Sequence, residues 1–162
     1  QSSLAHNSRQ IRWLPSENIH MTLFFLGNVF LDDIERLTKA LEDALNLDHF
    51  RASIFKTGVF PSARHPKIFW LGVSRGTKKM KALHKEVKKT TAPFKKGGQK
   101  ENFIPHITIG RAKRSYRNIN TLPFLEYVYS PLEFDVNSVA LYESRLLAHG
   151  AEYKVLTTFP LN

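Results

Sequence analysis

Hydrophobic positions along the chain fall at two spacings. Alternation marks strands. It runs through "NIHMTLFFLG" (18–27), where Ile19, Met21, Leu23 and Phe25 point one way and His20 and Thr22 the other. "RASIFKTGVF" (51–60) ends at Pro61, and "KIFWLGV" (67–73) is apolar enough to be a buried strand. "FIPHITIGR" (103–111) repeats the first pattern, with Ile107 and Ile109 against His106 and Thr108. "LEFDVNSVALYES" (132–144) and "AEYKVLTTFP" (151–160) alternate and join around Gly150 as a hairpin would. Helical spacing appears twice. In 31–46 an apolar stripe runs through Leu31, Ile34, Leu37, Leu41 and Leu45, with Asp32 and Asp33 at the helix start, where they suit its dipole. Met80, Leu83, His84 and Val87 form the second stripe, backed by lysines and stopped by Pro93 and Gly97-Gly98. Residues 112–131 are basic, then punctuated by proline, and predict a loop with one short helix. The order is strand, helix, two strands, helix, strand, loop, two strands. That predicts an α+β fold with a largely antiparallel sheet. The two His-Thr segments, 86 residues apart, suggest an internal duplication.

Composition narrows the classes. The 162 residues suit one domain, and 42% are hydrophobic, so the chain is expected to fold around a packed core. No apolar run approaches the roughly 18 residues of a membrane helix, and the start lacks a signal-peptide core. Cysteine is absent, which removes disulfides, thiolate nucleophiles and cysteine metal sites and is compatible with the cytoplasm. The net charge of +10 suits a polyanionic partner such as nucleic acid. Much of it lies in 75–100, whose single acid is Glu86 and whose helical lysines read mainly as a solvated face.

The paired segments carry the candidate chemistry. A His-x-Thr is expected by chance about 0.4 times from 7 His and 10 Thr in 162 residues, and it occurs twice with apolar flanks. A lone pair of this kind is first of all a satisfied core histidine. Two pairs suit in-line phosphoryl chemistry. One neutral imidazole takes a proton from attacking water, and a protonated one gives a proton to the leaving oxygen. Each Thr hydroxyl donates to a phosphate oxygen. Neither metal nor cofactor is required, and neither motif has a carboxylate or third His at ligand spacing.

His20-Met21-Thr22-Leu23 and His106-Ile107-Thr108-Ile109 resemble the two His-x-Thr motifs of the two-histidine phosphoesterases. The nearest group is the RNA 2′,3′-cyclic phosphodiesterases, also called 2′-5′ RNA ligases. "RWLPSENIHMTLFFLGNV" (12–29), "FPSARHPKIFWLGV" (60–73) and "YESRLLAHGAEYKVLTTFPL" (142–161) resemble that group too. The resemblance implies a bilobal α+β domain over 1–162, with duplicated lobes and two largely antiparallel sheets flanking a groove with outer helices. One His-x-Thr strand is expected from each lobe. The implied activity is metal-independent hydrolysis of an RNA terminal 2′,3′-cyclic phosphate to a 2′-phosphomonoester, with His20 and His106 as acid and base. Thr22, Thr108 and Arg111 would hold the phosphate. The implied partner is RNA with such ends, tRNA fragments being one candidate class, acted on by a cytoplasmic monomer. The rivals are 2′-5′ ligation of tRNA halves, another cyclic or 2′-5′ oligonucleotide substrate, and a non-catalytic module that binds RNA ends. Members usually begin with a strand and a helix before the segment matching 12–20, and here eleven residues precede Arg12.

Further candidates are weaker. Phe24 shares a face with His20 by alternation and could stack on a base, although such a Phe is more often core, and family members often have a basic residue there. Lys95, Lys96 and Lys100 precede the second motif and suit steering of an RNA strand. Trp13, Phe69 and Trp70 read as packing residues. Arg64 and His65 read as a surface loop. His84 is assigned no role.

Overall fold

A computed structural model describes residues 9–95, 102–116, 118–147 and 150–162. Strands β1 (Ile11–Trp13), β2 (Phe50–Ser62), β3 (His65–Arg75), β4 (His106–Ala112) and β5 (Leu132–Val136) form one sheet in the order β1-β4-β3-β2-β5. The pairs β1/β4, β4/β3 and β3/β2 are antiparallel. A second sheet is the antiparallel hairpin of β6 (Ser138–Leu147) and β7 (Gly150–Pro160). The helices are α1 (Ile34–Ala44), α2 (Thr77–Thr91) and the single turn α3 (Leu122–Leu125). This is the α+β, largely antiparallel arrangement that the pattern predicts.

The chain divides into two compact units. The first takes Gln1–Thr22, Ser53–Arg75 and Ile104–Glu133. Its core covers one face of the larger sheet. Ile11 and Phe69 are buried there with Ile119 and Phe124, and Trp13, Val59, Leu71, Ile109, Ala112 and Leu125 pack around them. Phe69 meets Phe124 edge-on with ring centres 5.2 Å apart, and Trp13 at 6.1 Å. The connection 112–131 does carry one short helix, and it closes this core. Thr57 donates from its hydroxyl to the Leu125 carbonyl at 3.0 Å.

The second unit takes Leu23–Ala52, Gly76–Phe103 and Phe134–Asn162. Here α1 packs against α2 and β7. The buried side chains are those of the helical stripes, Leu37 and Leu41, then Met80, Leu83, His84 and Val87. Phe50, Ala52, Phe159 and Leu161 are buried as well. Lys78, Lys81, Lys85 and Lys88 stand in solvent on the outer face of α2. Gly76 starts that helix at φ +85°, and a Cβ there would also lie 3.1 Å from the Ala52 Cβ.

Three expectations are corrected. Residues 18–27 are not a strand: Ser16–Asn18 form a 3-10 turn, and among the described residues none pairs with 19–30 in a ladder. Alternation describes side chains, whereas a strand also needs a neighbouring backbone to bond. Ile19 and Phe25, expected to share one face of the strand, are 44% and 59% exposed. Segment 132–144 is two strands in two sheets, broken at Asn137, whose carbonyl accepts from the Leu161 N–H at 2.8 Å. Leu31 leaves the helical stripe: it begins a 3-10 turn ahead of α1 and is 88% exposed. The strand β1 is an addition that three residues of sequence did not announce.

Candidate functional site

The second motif lies on the sheet face opposite the first unit's core. His106, Thr108 and Arg111 are paired with Gly72, Trp70 and Ile68 of β3. These partners are evenly spaced along β3, so all six residues share one face. Strict alternation along β4 would turn Arg111 away from Thr108. A bulge at Ile109 supplies the extra residue that brings it back, since Thr108 and Gly110 lie opposite consecutive residues Trp70 and Phe69. Ile109 itself packs into the core, and its carbonyl accepts from the Leu14 N–H at 2.9 Å. A phosphate-sized anion over this face would meet an imidazole, a hydroxyl and a guanidinium from one strand.

Arg12 joins them. It lies directly opposite Arg111 in the β1/β4 ladder and therefore on the same face. Sequence reading missed it because its position depends on β1, whose pairing with β4 is invisible in three residues. Two guanidinium groups on one face of paired strands suit an anion placed between them.

His106 is fixed in orientation. Its Nδ1 is 2.7 Å from the Ile104 carbonyl oxygen. A carbonyl only accepts, so Nδ1 carries the proton and Nε2 is the nitrogen that exchanges one. Phe60 lies edge-on to the imidazole at 5.1 Å, and Trp70 at 5.9 Å. Trp70 lies on the backbone of Gly58 and Gly72: a Cβ at 58 would fall within the indole, and one at 72 would come 2.8 Å from it. The two glycines thus make room for the side chain that braces His106.

The first motif is held by different means to the same end. The 3-10 turn before it closes with the Ile19 N–H donating to the Ser16 carbonyl at 3.1 Å. His20 then places Nδ1 2.9 Å from the Asn18 carbonyl oxygen. Each motif histidine is therefore locked by the carbonyl two residues before it, in the same tautomer, with Nε2 as the exchanging nitrogen. His20, Thr22, His106 and Thr108 all belong to the first unit, and Thr22 is the last residue before the chain passes into the second.

Phe24 and Lys95, both candidates for RNA contact, meet each other. The Lys95 Nζ lies 4.3 Å from the centre of the Phe24 ring, and Phe24 is edge-on to His84 at 5.9 Å. Lys96 and Lys100 lie outside the described residues. Trp13 and Phe69 pack as expected, whereas Trp70 packs on the site face. Among the described residues no group of three or more His, Asp or Glu converges to hold a metal ion.

Comparison with known proteins gives a family. Residues 8–146 match the 2′-5′ RNA ligase superfamily. A protein of Aquifex aeolicus (strain VF5) named RNA 2′,3′-cyclic phosphodiesterase is 37% identical over 157 residues, 93% of this chain and 81% of its own length. One of the same name from Thermotoga maritima is 34% identical over 89% of this chain and 76% of its own length. The fold matches the crystal structure of TT0787 of Thermus thermophilus with a TM-score of 0.74, at 24% identity, over 94% of this chain and 82% of that one. It also matches E. coli LigT complexed with 3′-AMP, with a TM-score of 0.74 at 19% identity, over 98% of this chain and 88% of that one. The chain belongs to the 2′-5′ RNA ligase superfamily.

Proposed function

We propose that this protein is an RNA 2′,3′-cyclic phosphodiesterase that opens a terminal 2′,3′-cyclic phosphate to a 2′-phosphomonoester without a metal. The observation that carries the reading is the matched pair of imidazole locks. His20 and His106 each commit Nδ1 to a backbone carbonyl and keep Nε2 for proton transfer. In the reaction one Nε2 takes a proton from water as its oxygen bonds to phosphorus. The other Nε2 gives a proton to the 3′ oxygen as the phosphorus–O3′ bond breaks. Thr22 and Thr108 donate to the non-bridging oxygens, and Arg111 balances their charge. With a 5′ hydroxyl of a second RNA in place of water, the same proton transfers form a 2′-5′ phosphodiester as the phosphorus–O3′ bond breaks, which is how the ligase name and a hydrolase fit one site. Residues 1–162 act together as one bilobal phosphoesterase domain with duplicated lobes, as a cytoplasmic monomer on RNA ends that include tRNA fragments. No helix among the described residues is long and apolar enough to cross a membrane.

The test is a product assay on a short RNA ending in a 2′,3′-cyclic phosphate, in excess EDTA. Wild type is expected to release the 2′-phosphate, and His20→Ala and His106→Ala each to lose about 10²–10⁴ in rate. Wild-type activity in His106→Ala would overturn the acid–base pair. Binding without turnover by a folded wild type would leave a module that recognises RNA ends.

A further inference from the structure

His84 has no place in the proposed chemistry, yet its neighbours adjoin both motifs. It is buried on α2, and its Nδ1 lies 2.7 Å from the carbonyl oxygen of Leu23, the residue after Thr22. The other face of the cluster is Phe103, stacked parallel to the imidazole at 4.1 Å and 4°. Phe103 precedes Ile104, whose carbonyl locks His106. Phe24 closes the cluster edge-on at 5.9 Å. His84, Leu23, Phe24 and Phe103 all lie in the second unit. The His84 imidazole thus touches the residue at which the chain leaves the first motif and the residue from which it enters the second.

We propose that His84 is a positioning residue for both His-x-Thr motifs. Among the described residues no ladder pairs with the segment that leaves Thr22. The Leu23 carbonyl instead takes its hydrogen bond from a side chain 61 positions away. That bond holds the peptide directly after Thr22, one Cα step of about 3.8 Å from it. The stack on Phe103 does the corresponding work ahead of Ile104 and His106. A satisfied core histidine would stabilise the fold and leave turnover alone; a positioning histidine shows in kcat.

The inference rests on the hydrolase reading, and the experiment separates the two. Asn at 84 can place its amide nitrogen where Nδ1 stands and keep the bond to Leu23, whereas Ala cannot. With a 2′,3′-cyclic mononucleotide as substrate, and both variants shown folded by melting, His84→Ala is expected to lose about 10- to 100-fold in kcat with little change in KM, and His84→Asn to stay within about threefold of wild type. Equal kcat in the two variants overturns the proposal. Long-range ¹H–¹⁵N NMR of the wild-type imidazole is expected to show the His84 proton on Nδ1; a proton on Nε2 overturns the clasp whatever the activity. Should both variants fail to fold, Phe103→Leu, which removes the ring stacked on the imidazole, carries the kcat comparison, and an unchanged kcat overturns the proposal. A wild type that releases no product overturns the hydrolase reading instead and leaves the clasp to be judged by that spectrum.

Discussion

At Arg111 one extra residue decides which way a guanidinium faces. The sequence shows Arg111 three positions after Thr108, an odd step that strict alternation sends to the opposite face. The bulge at Ile109 reverses this, and the pairings of Ile68 with Arg111 and Trp70 with Thr108 record it. The His-x-Thr pairs were legible because composition and spacing carry them. Arg12 was not, because its place depends on a strand partner about a hundred residues away. If Arg111 grips phosphate with its planar fork, charge alone is not enough. Arg111→Ala is expected to lower kcat/KM by about 10- to 100-fold, the weight of a charge-assisted hydrogen bond, and Arg111→Lys to recover only part of that. Full recovery by lysine, measured on the cyclic mononucleotide, would reduce the residue to a point charge.

Among the elements, α1 and α2 were the easiest to read, since Leu37 and Leu41, then Met80, Leu83 and Val87, are buried at the expected spacing. The break at Asn137 also left a mark. Apolar positions run 132, 134, 136 and then 139, 141, so the phase slips where the chain changes sheets. The first motif misled because its alternation is genuine while its ladder is absent among the described residues. Element packing yields a prediction at Gly58, which the sequence presents as an ordinary glycine. Its hydrogen is all that fits beneath the Trp70 ring, which braces His106 and buries an indole N–H without a partner among the described residues. Gly58→Ala is expected to push the indole aside, at about 1–3 kcal/mol in stability for an overpacked contact. Tryptophan fluorescence and near-UV circular dichroism should report the move, with kcat falling more than KM rises. An unchanged kcat in a variant whose tryptophan signal has shifted would show that His106 does not depend on that brace.

For the whole molecule, the question is whether the net charge of +10 serves the substrate or only the solvent. The structure separates two populations of cation. Lys78, Lys81, Lys85 and Lys88 line the outer, solvated side of α2 in the second unit. Arg12 and Arg111 share the sheet face of His106 and Thr108 in the first. Cations that pair with successive phosphates of a single strand release counterions, and each contact steepens the logarithmic salt dependence by about 0.7. A cyclic mononucleotide offers a single phosphate, so its kcat/KM should depend weakly on salt, and that of a longer RNA steeply. Arg12→Gln is expected to flatten the RNA slope by about 0.7 while the mononucleotide changes little, if Arg12 meets a neighbouring phosphate rather than the reacting one. Lys81→Gln, Lys85→Gln and Lys88→Gln combined should leave the RNA slope where it was, because those side chains face water. A slope that follows the lysines and ignores Arg12 would move the RNA path onto α2 and leave the arginine pair to the reacting phosphate alone.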